Sequence, residues 1–433
     1  MAYTPNTLVR REGGSIEGIF NVWEYTTVDS LATVLGAGYF ATGSSFGMRI
    51  GDIVWVVNQT TPLVVKCQCS AATVTTGGGL TQYVGSSTVI QQDVLAANLS
   101  MAPRNMLDGG DFTTNPFQRG SAVSAATSLS TQVGTTATYF ADRWFAAGGT
   151  TTFVNMSQVA QTDVPGFADS LQWGRFAAPT TILYLGQVIE TTDSIRAQGQ
   201  PVCLSFWAKM GAQFSSASSL LTAQVISGTG TNEGAQKATG IGGTSWTGAA
   251  TVATGALTMT TTATRYSVTG TVPANATELA ALFSYTATGS SFTTDYINFY
   301  GIQLEVGLTP SAFEHLDIEV VLAECQRYFI QINEPTATNF VAAGSGLTVT
   351  TGFYVIALPT QMRIAPTVTV AAGSFLVTTA AGATVAATIA VGPSGHIPTA
   401  VSLRATASGL SIGGGSLIVG GGGSGYIQAS ADF

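Results

Sequence analysis

"VCLSFWAKM", residues 202–210, is one of eight short runs between residues 104 and 313 that are rich in β-branched and aromatic residues. The others are TATYFADRWFAAGG (136–149), TTFVNMSQVA (151–160), TILYLGQVI (181–189), LTAQVISGTG (221–230), TRYSVTGTV (264–272), LAALFSYTA (279–287) and YINFYGIQLEVG (296–307). Gly, Ser, Thr and Asp separate them, and helical spacing is almost absent. Short strands with frequent turns predict an antiparallel sandwich of jelly-roll type across 104–313.

Upstream, FNVWEYTTVD (20–29), MRIGDIVWVVN (48–58) and LVVKCQCSAATV (63–74) alternate polar residues with Val, Ile and Trp, so residues 1–88 read as a small β module. Asp29 is placed to cap a short helix through SLATVL. A polar linker, 89–103, follows. Downstream, SAFEHLDIEVVLAECQRYF (311–329) breaks the pattern. It gathers Glu314, Asp317, Glu319 and Glu324 in a chain only 9% charged, and Ile318, Leu322, Cys325 and Phe329 step by four, three and four. That spacing predicts a linking helix within 314–334. The remaining 99 residues, 335–433, read as a C-terminal β-sandwich knob whose only charges are Arg363, Arg404 and Asp432. So uncharged a surface implies that partner chains cover it. The expected fold is therefore mainly β and multi-domain.

Composition narrows the function. Lys+Arg number 15 against 23 Asp+Glu, and no basic stripe gives a nucleic acid its footprint. No apolar run reaches the ~18 residues a membrane-spanning helix requires, so membrane insertion is not expected. The start, MAYTPNTLVRREGG, lacks an apolar signal core. Four cysteines make no disulfide framework, and Cys67 and Cys69 read as small core residues in a reducing compartment.

Six stretches, NMLDGGDFTTNPFQRG (105–120), YFADRWF (139–145), LSFWAK (204–209), YINFYGIQLEVGLTPSAFEH (296–315), AECQRYF (323–329) and LPTQMRIAPTVTV (358–370), occur in the order seen in bacteriophage tail-fibre-like proteins, which this chain resembles from about 104 to 433. The resemblance implies a central sandwich similar to a carbohydrate-binding module, a C-terminal β domain and a homotrimer. FNVWEYTT, GYF and GMRIGDIVWVV resemble N-terminal modules that anchor phage fibres and spikes to the particle. Three parallel chains would let Ile318, Leu322, Cys325 and Phe329 form an axial seam, the alternative being a helix that caps its own sandwich. The expectation is a virion protein, assembled in the host cytoplasm, that attaches to a host-surface glycan or receptor.

No catalytic group stands out. The two histidines, His315 and His396, have no nucleophile elbow nearby. A glycan depolymerase needs two carboxylates across a sugar bond, and the sandwich has acids to supply them without the repeats of a long β-helix. That enzyme, or an architectural head or tail decoration, are the alternatives. Trp173 and Trp246, in polar glycine-containing surroundings, are the candidate glycan contacts, with His396 in the turn GPSGHIP; Trp144 and Trp207 read as core. No cofactor is expected. A structural Ca²⁺ would call on Asp108, Asp111 or Asp295. Loops 391–399 and 411–425 are further places for a host contact.

Overall fold

The structure is a computed structural model and describes residues 8–12, 22–34, 52–58, 63–71, 79–82, 104–120, 129–133, 137–149, 152–175, 180–290, 293–336, 339–371, 373, 375–392 and 395–433. The chain divides into two compact units, Met1–Ala102 and Pro103–Phe433. The expected linker, 89–103, lies outside the described residues.

In the first unit Leu8–Glu12, Val22–Thr27, Ile53–Asn58, Leu63–Ala71 and Gly79–Gln82 form one sheet in chain order. Alternation does the sorting: Trp23, Tyr25, Val54 and Val56 are buried and their neighbours are not. Val22–Thr27 and Ile53–Asn58 pair in parallel, which the long connection between them permits. The buried Trp23 Nε1 donates to Asp52 Oδ2 at 2.8 Å. A short helix does form, Leu31–Val34, but Ser30 Oγ caps it by accepting from Thr33 N at 3.2 Å. Asp29 instead has its N–H bound by Thr27 Oγ1, 3.0 Å away.

The second unit opens with the sandwich, which is mainly β and antiparallel. Sheet I has the order Thr264–Thr271, Pro201–Met210, Tyr296–Val306, Asp169–Arg175, Thr152–Ala160, Leu129–Val133. Sheet II runs Ala250–Thr258, Leu220–Gly228, Glu278–Thr286, Ile182–Ile189, Phe145–Gly148, Thr138–Tyr139. Period-two residues from both meet in one core. Phe206, Phe283 and Phe299 pack with ring centroids 4.8–5.8 Å apart. A charged pair taken fully inside, Arg175 and Asp295, is held at 3.1 Å with further bonds from Arg175 to the Thr288 and Gly289 carbonyls.

Residues after the helix form a second sandwich. Sheet III has the order Phe329–Asn333, Tyr426–Ser430, Thr367–Ala371. Sheet IV runs Thr384–Ala386, Leu376–Thr378, Gly415–Val419, Phe340–Gly346, Thr351–Ala357, Ala400–Thr406, Thr388–Val391. Tyr354, Leu403, Ile418 and Phe375 fill its core, and the Tyr354 hydroxyl is paired with Ser416 Oγ at 2.7 Å.

The helix, Ile318–Gln326, belongs to the junction between the two sandwiches. Val321 and Cys325 are buried under it, and Arg327 makes a two-point bond to Glu190 at 3.0 and 2.9 Å. Tyr328 lies beneath the Arg143 guanidinium (3.3 Å to the ring centre), and Phe329 beneath Arg119 (3.6 Å). Arg143 Nε also donates to Asp108 at 2.7 Å, Arg119 pairs with Asp432, and Arg363 donates to the carbonyls of Ala431 and Asp432. This corrects the seam expectation for Cys325 and Phe329, whose side chains are consumed within their own chain. Ile318 stays 53% exposed and Leu322 half-buried.

Burial pushes the Glu324 carboxyl up to about 7, and the charges of Asp108, Glu314 and Asp193 add to it. Burial likewise raises Asp142 to about 6, against the opposing Gln118 N–H and Arg119 charge. A carboxyl raised in the folded state contributes stability that is whole below its ordinary value and is lost as pH rises through the folded one. For Glu324 that window runs from 4.5 to about 7. Glu324→Gln is therefore expected to match wild type at pH 4.5 and to unfold at higher temperature at pH 8, by a gain on the order of 1 kcal/mol. Thermal melts at the two pH values check this.

Candidate functional site

A two-sheet sandwich offers two outer faces, and the chain treats them differently. On Pro201–Met210 the core takes Val202, Leu204, Phe206 and Ala208, so Cys203, Ser205, Trp207 and Lys209 point out from sheet I. The chain itself roofs that face. Residues 307–316 lie across it: Ser311 N and Oγ bond to Glu305 at 2.8 and 2.5 Å, Glu314 N to Gln303 Oε1 at 2.9 Å, and Arg265 to the Ser311 carbonyl. Loop 161–168 adds to the cover, with Val164 and Phe167 on Tyr300 and the half-buried Trp207 and Phe313 beside them. Lys209 pairs with Asp163, which also accepts from the Tyr300 hydroxyl at 3.2 Å. His315 Nδ1 sits 2.9 Å from Asp111 Oδ2, its ring against Phe167 and Phe313. Over these residues sheet I is closed by the chain's own polar bonds.

One end of sheet II carries a hydrophobic roof. There Ala235, Ala238 and Trp246 cover Phe145, Val188, Ala280 and Leu282. Towards the other end a cross-strand row runs Ala147, Tyr184, Ser284, Thr222, Ala256, and the next row includes Gly186, Leu282, Gln224 and Thr254. Leu183 and Leu185 are in the core, which turns Tyr184 outward; Ala223 and Val225 do the same for Gln224. Tyr184, Thr222 and Gln224 are half-buried and Thr254 is exposed, whereas Ala147, Leu282 and Ser284 in the same rows are buried. Burial raises the Tyr184 phenol above its usual range. None of the polar groups of Tyr184, Thr222, Gln224, Thr254 or Ser284 bonds to another described side chain or loop backbone. Tyr184 stands among small neighbours, Ala147, Gly186 and Ser284, so its ring edges a shallow platform rather than a packed cluster. An aromatic ring, an amide and hydroxyls, all unspent, can stack on an apolar sugar face and bond to its hydroxyls. Tyr184 and Gln224 lie two strands apart, roughly 10 Å across the sheet.

The candidates from sequence fall elsewhere. Trp173 is fully buried, 5.1 Å from the Tyr285 ring, and so cannot touch a glycan. Trp246 is 3% exposed and its Nε1 donates to the Gly234 carbonyl at 3.2 Å; it roofs sheet II from within. Trp144 is in the core. His396 is half-buried, and its Nδ1 accepts from Ser402 N at 3.3 Å, which ties down the segment after 394. Pro393 and Ser394 of the 391–399 loop lie outside the described residues. The carboxylates considered for Ca²⁺ are spent on cationic or imidazole partners, Asp108 on Arg143, Asp111 on His315 and Asp295 on Arg175. Among the described residues no three His, Cys, Asp or Glu side chains are grouped to hold a metal.

The glycine-rich loop has a structural use. N–H groups of Gly421 and Gly423 donate to Glu334 Oε1 at 2.9 and 3.1 Å, and that of Gly425 to Oε2 at 3.0 Å. Successive peptide N–H groups make a nest for the carboxylate of Glu334, which is 9% exposed. A Cβ on Gly420 would come within 2.1 Å of the Pro335 carbonyl, so the close approach requires glycine there.

No family model and no curated protein matches the chain. Among solved structures, it is similar to the enzymatically active domain of bacteriophage CBA120 tailspike protein 4 at 13% identity and a TM-score of 0.28, covering 47% of this chain and 21% of that one. It is similar to the C-terminal family 22 carbohydrate-binding module of Clostridium thermocellum Xyn10B at 16% identity and 0.23, covering 38% and 86%. A third is the Clostridium thermocellum family 11 carbohydrate-binding module in complex with a mixed-linked tetrasaccharide, at 11% and 0.25, covering 40% and 91%. The chain thus spans about a fifth of the tailspike structure's length.

Removing the nest's anion leaves three donors without their acceptor, that of Gly425 buried. Glu334→Ala is expected to lower the unfolding free energy by about 1.5–3 kcal/mol, the range for bonds to a charged group, as chemical denaturation would measure.

Proposed function

We propose that this chain is a structural virion protein, a homotrimeric bacteriophage fibre or spike with a tail fibre favoured over a head fibre, and that it attaches the particle to a host-surface glycan. The observation that carries the glycan reading is the less covered end of sheet II, where Tyr184 and Gln224 present unpaired polar and aromatic groups beside Thr222 and Thr254. The opposite face is spent on the chain's own strap. The virion assignment rests on the ordered motifs from 105 to 370, and residues 1–88 are its particle anchor. Trimerisation rests on the near-uncharged 335–433 segment. Three platforms about one axis would turn a weak single site into firm attachment, an avidity gain of ~10²–10⁴.

Binding without turnover is part of the proposal. Several sandwich acids that a depolymerase would draw on are engaged: Asp163 by Lys209, Glu190 by Arg327, Glu233 by Lys237 and Glu305 by Ser311.

Purified protein should bind host-surface polysaccharide saturably and leave its chain length unchanged. Tyr184→Ala and Gln224→Ala should each weaken binding by roughly three- to tenfold, the worth of one aromatic contact or hydrogen bond, with melting temperature held. Shortened polysaccharide, or both variants binding as wild type does, would overturn the proposal.

A further inference from the structure

Nine of the sixteen exposed large apolar side chains among the described residues fall within 339–433. Part of that apolar surface is ordered by the register of sheet IV. Tyr354, Ile418 and Ala342 face the core, so their neighbours Val355, Leu417 and Ala343 face out. Those three sit side by side, Leu417 opposite Ala343 and Ala343 opposite Val355. Val355 is 49% and Leu417 39% exposed. The next row sets Ser345, Phe353 and Arg404 abreast, and Thr378 extends the first row past Leu417.

Charge is nearly missing from this surface. Asp432 is paired with Arg119 and Arg363 bonds the chain end at the junction, so Arg404 is the one charged side chain of 335–433 left facing outward. Seven strands spaced ~4.8 Å, with central strands of five to seven residues, give a face on the order of 600 Å². A stable association covers ~800 Å² per partner, so the face is of the right size to meet another surface. Its composition selects the partner. Leu, Val, Ala, Phe, Thr and Ser without Trp, Tyr or acids resemble a core cut in half, the character of permanent contacts between identical subunits. A changing foreign partner would be gripped by several aromatic and charged anchors, and this face offers just Phe353 and, at its rim, Arg404.

We infer that the outer face of sheet IV, centred on Ala343, Val355 and Leu417, is where copies of this chain meet. This rests on the oligomeric reading above and names its surface. Copies turn these faces to a common axis and close the symmetry, with Arg404 at the rim.

Light scattering of the full chain at micromolar concentration tests it. Wild type should be a trimer, and Val355→Glu and Leu417→Glu, at positions open in the single chain, should each lower the mass towards a monomer. Ile412→Glu, at a site 76% exposed that bridges Gly346 at the end of the sheet, in the core-side alternation of Ala342 and Gly344, should leave the mass unchanged. Because a charge can also impair folding, Ala343→Cys supplies a second measurement. Mild oxidation should give a disulfide-linked pair of chains in a denaturing gel at wild-type melting temperature. A monomeric wild type, unchanged mass in both Glu variants, or no cross-link from Ala343→Cys in an assembled protein would overturn the inference. Glycan titration in parallel separates the two claims: an assembled protein that binds no glycan removes the attachment reading alone, and a glycan-binding monomer removes this one.

Discussion

Four arginines carry the second unit. Arg119, Arg143, Arg327 and Arg363 converge where the first sandwich meets the helix and the C-terminal sandwich. Each spends its guanidinium edge on a carboxylate or carbonyl, and three of them, Arg119, Arg143 and Arg363, also lay the face on an aromatic ring. Arg suits this because its planar head is the least strongly hydrated cation and keeps five donors in fixed directions. The helix 318–326 makes sense within that constraint. Nine residues are too few to stand alone in water, and the charged stretch is stable because Val321, Cys325 and the Arg327–Glu190 bond fasten it down. Burial raises the Glu324 and Asp142 carboxyls at this junction, and neighbouring acid charges add to it.

That seam also explains the motifs. FQRG, DRWF, CQRYF and QMRI each contribute one arginine to it, from positions up to 244 residues apart. What reads in sequence as a signature of a family is, in the fold, a set of junction parts. The same holds for SAFEH, whose Ser311, Glu314 and His315 bind the strap over sheet I. Recognition has to be sought where the motifs are silent, and the less covered end of sheet II is such a place. The C-terminal sandwich is the complement: poor in charge, latched by Glu334 and rich in outward aliphatic residues.

Strand runs between 136 and 307 were legible because period-two patterns survive folding, and the helix because four-three-four spacing does. Faces were harder to assign. Trp173 next to Gly174 suggested exposure, yet that glycine marks crowding: a Cβ there would lie 2.7 Å from the Asp295 carbonyl and 2.9 Å from Tyr296. Tyr184 carried a usable signal, since it alternates with Leu183 and Leu185, which claim the core. Which outer face the chain roofs with its own strap depends on contacts such as Glu305 with Ser311 and Asn105 with Glu314, and the second of these spans 209 residues. Local pattern does not encode them. The seam read onto Cys325 and Phe329 failed for a related reason, because helical spacing identifies an apolar stripe without saying what covers it.

A crystal structure of the full chain with a host-surface oligosaccharide tests the attachment claim most directly. The sugar should lie on sheet II, one ring against Tyr184 and its hydroxyls within reach of Gln224 and Thr222, with the strap 307–316 in place. Sugar density on sheet I with that strap displaced, or at the 391–399 and 411–425 loops with sheet II bare, would contradict it.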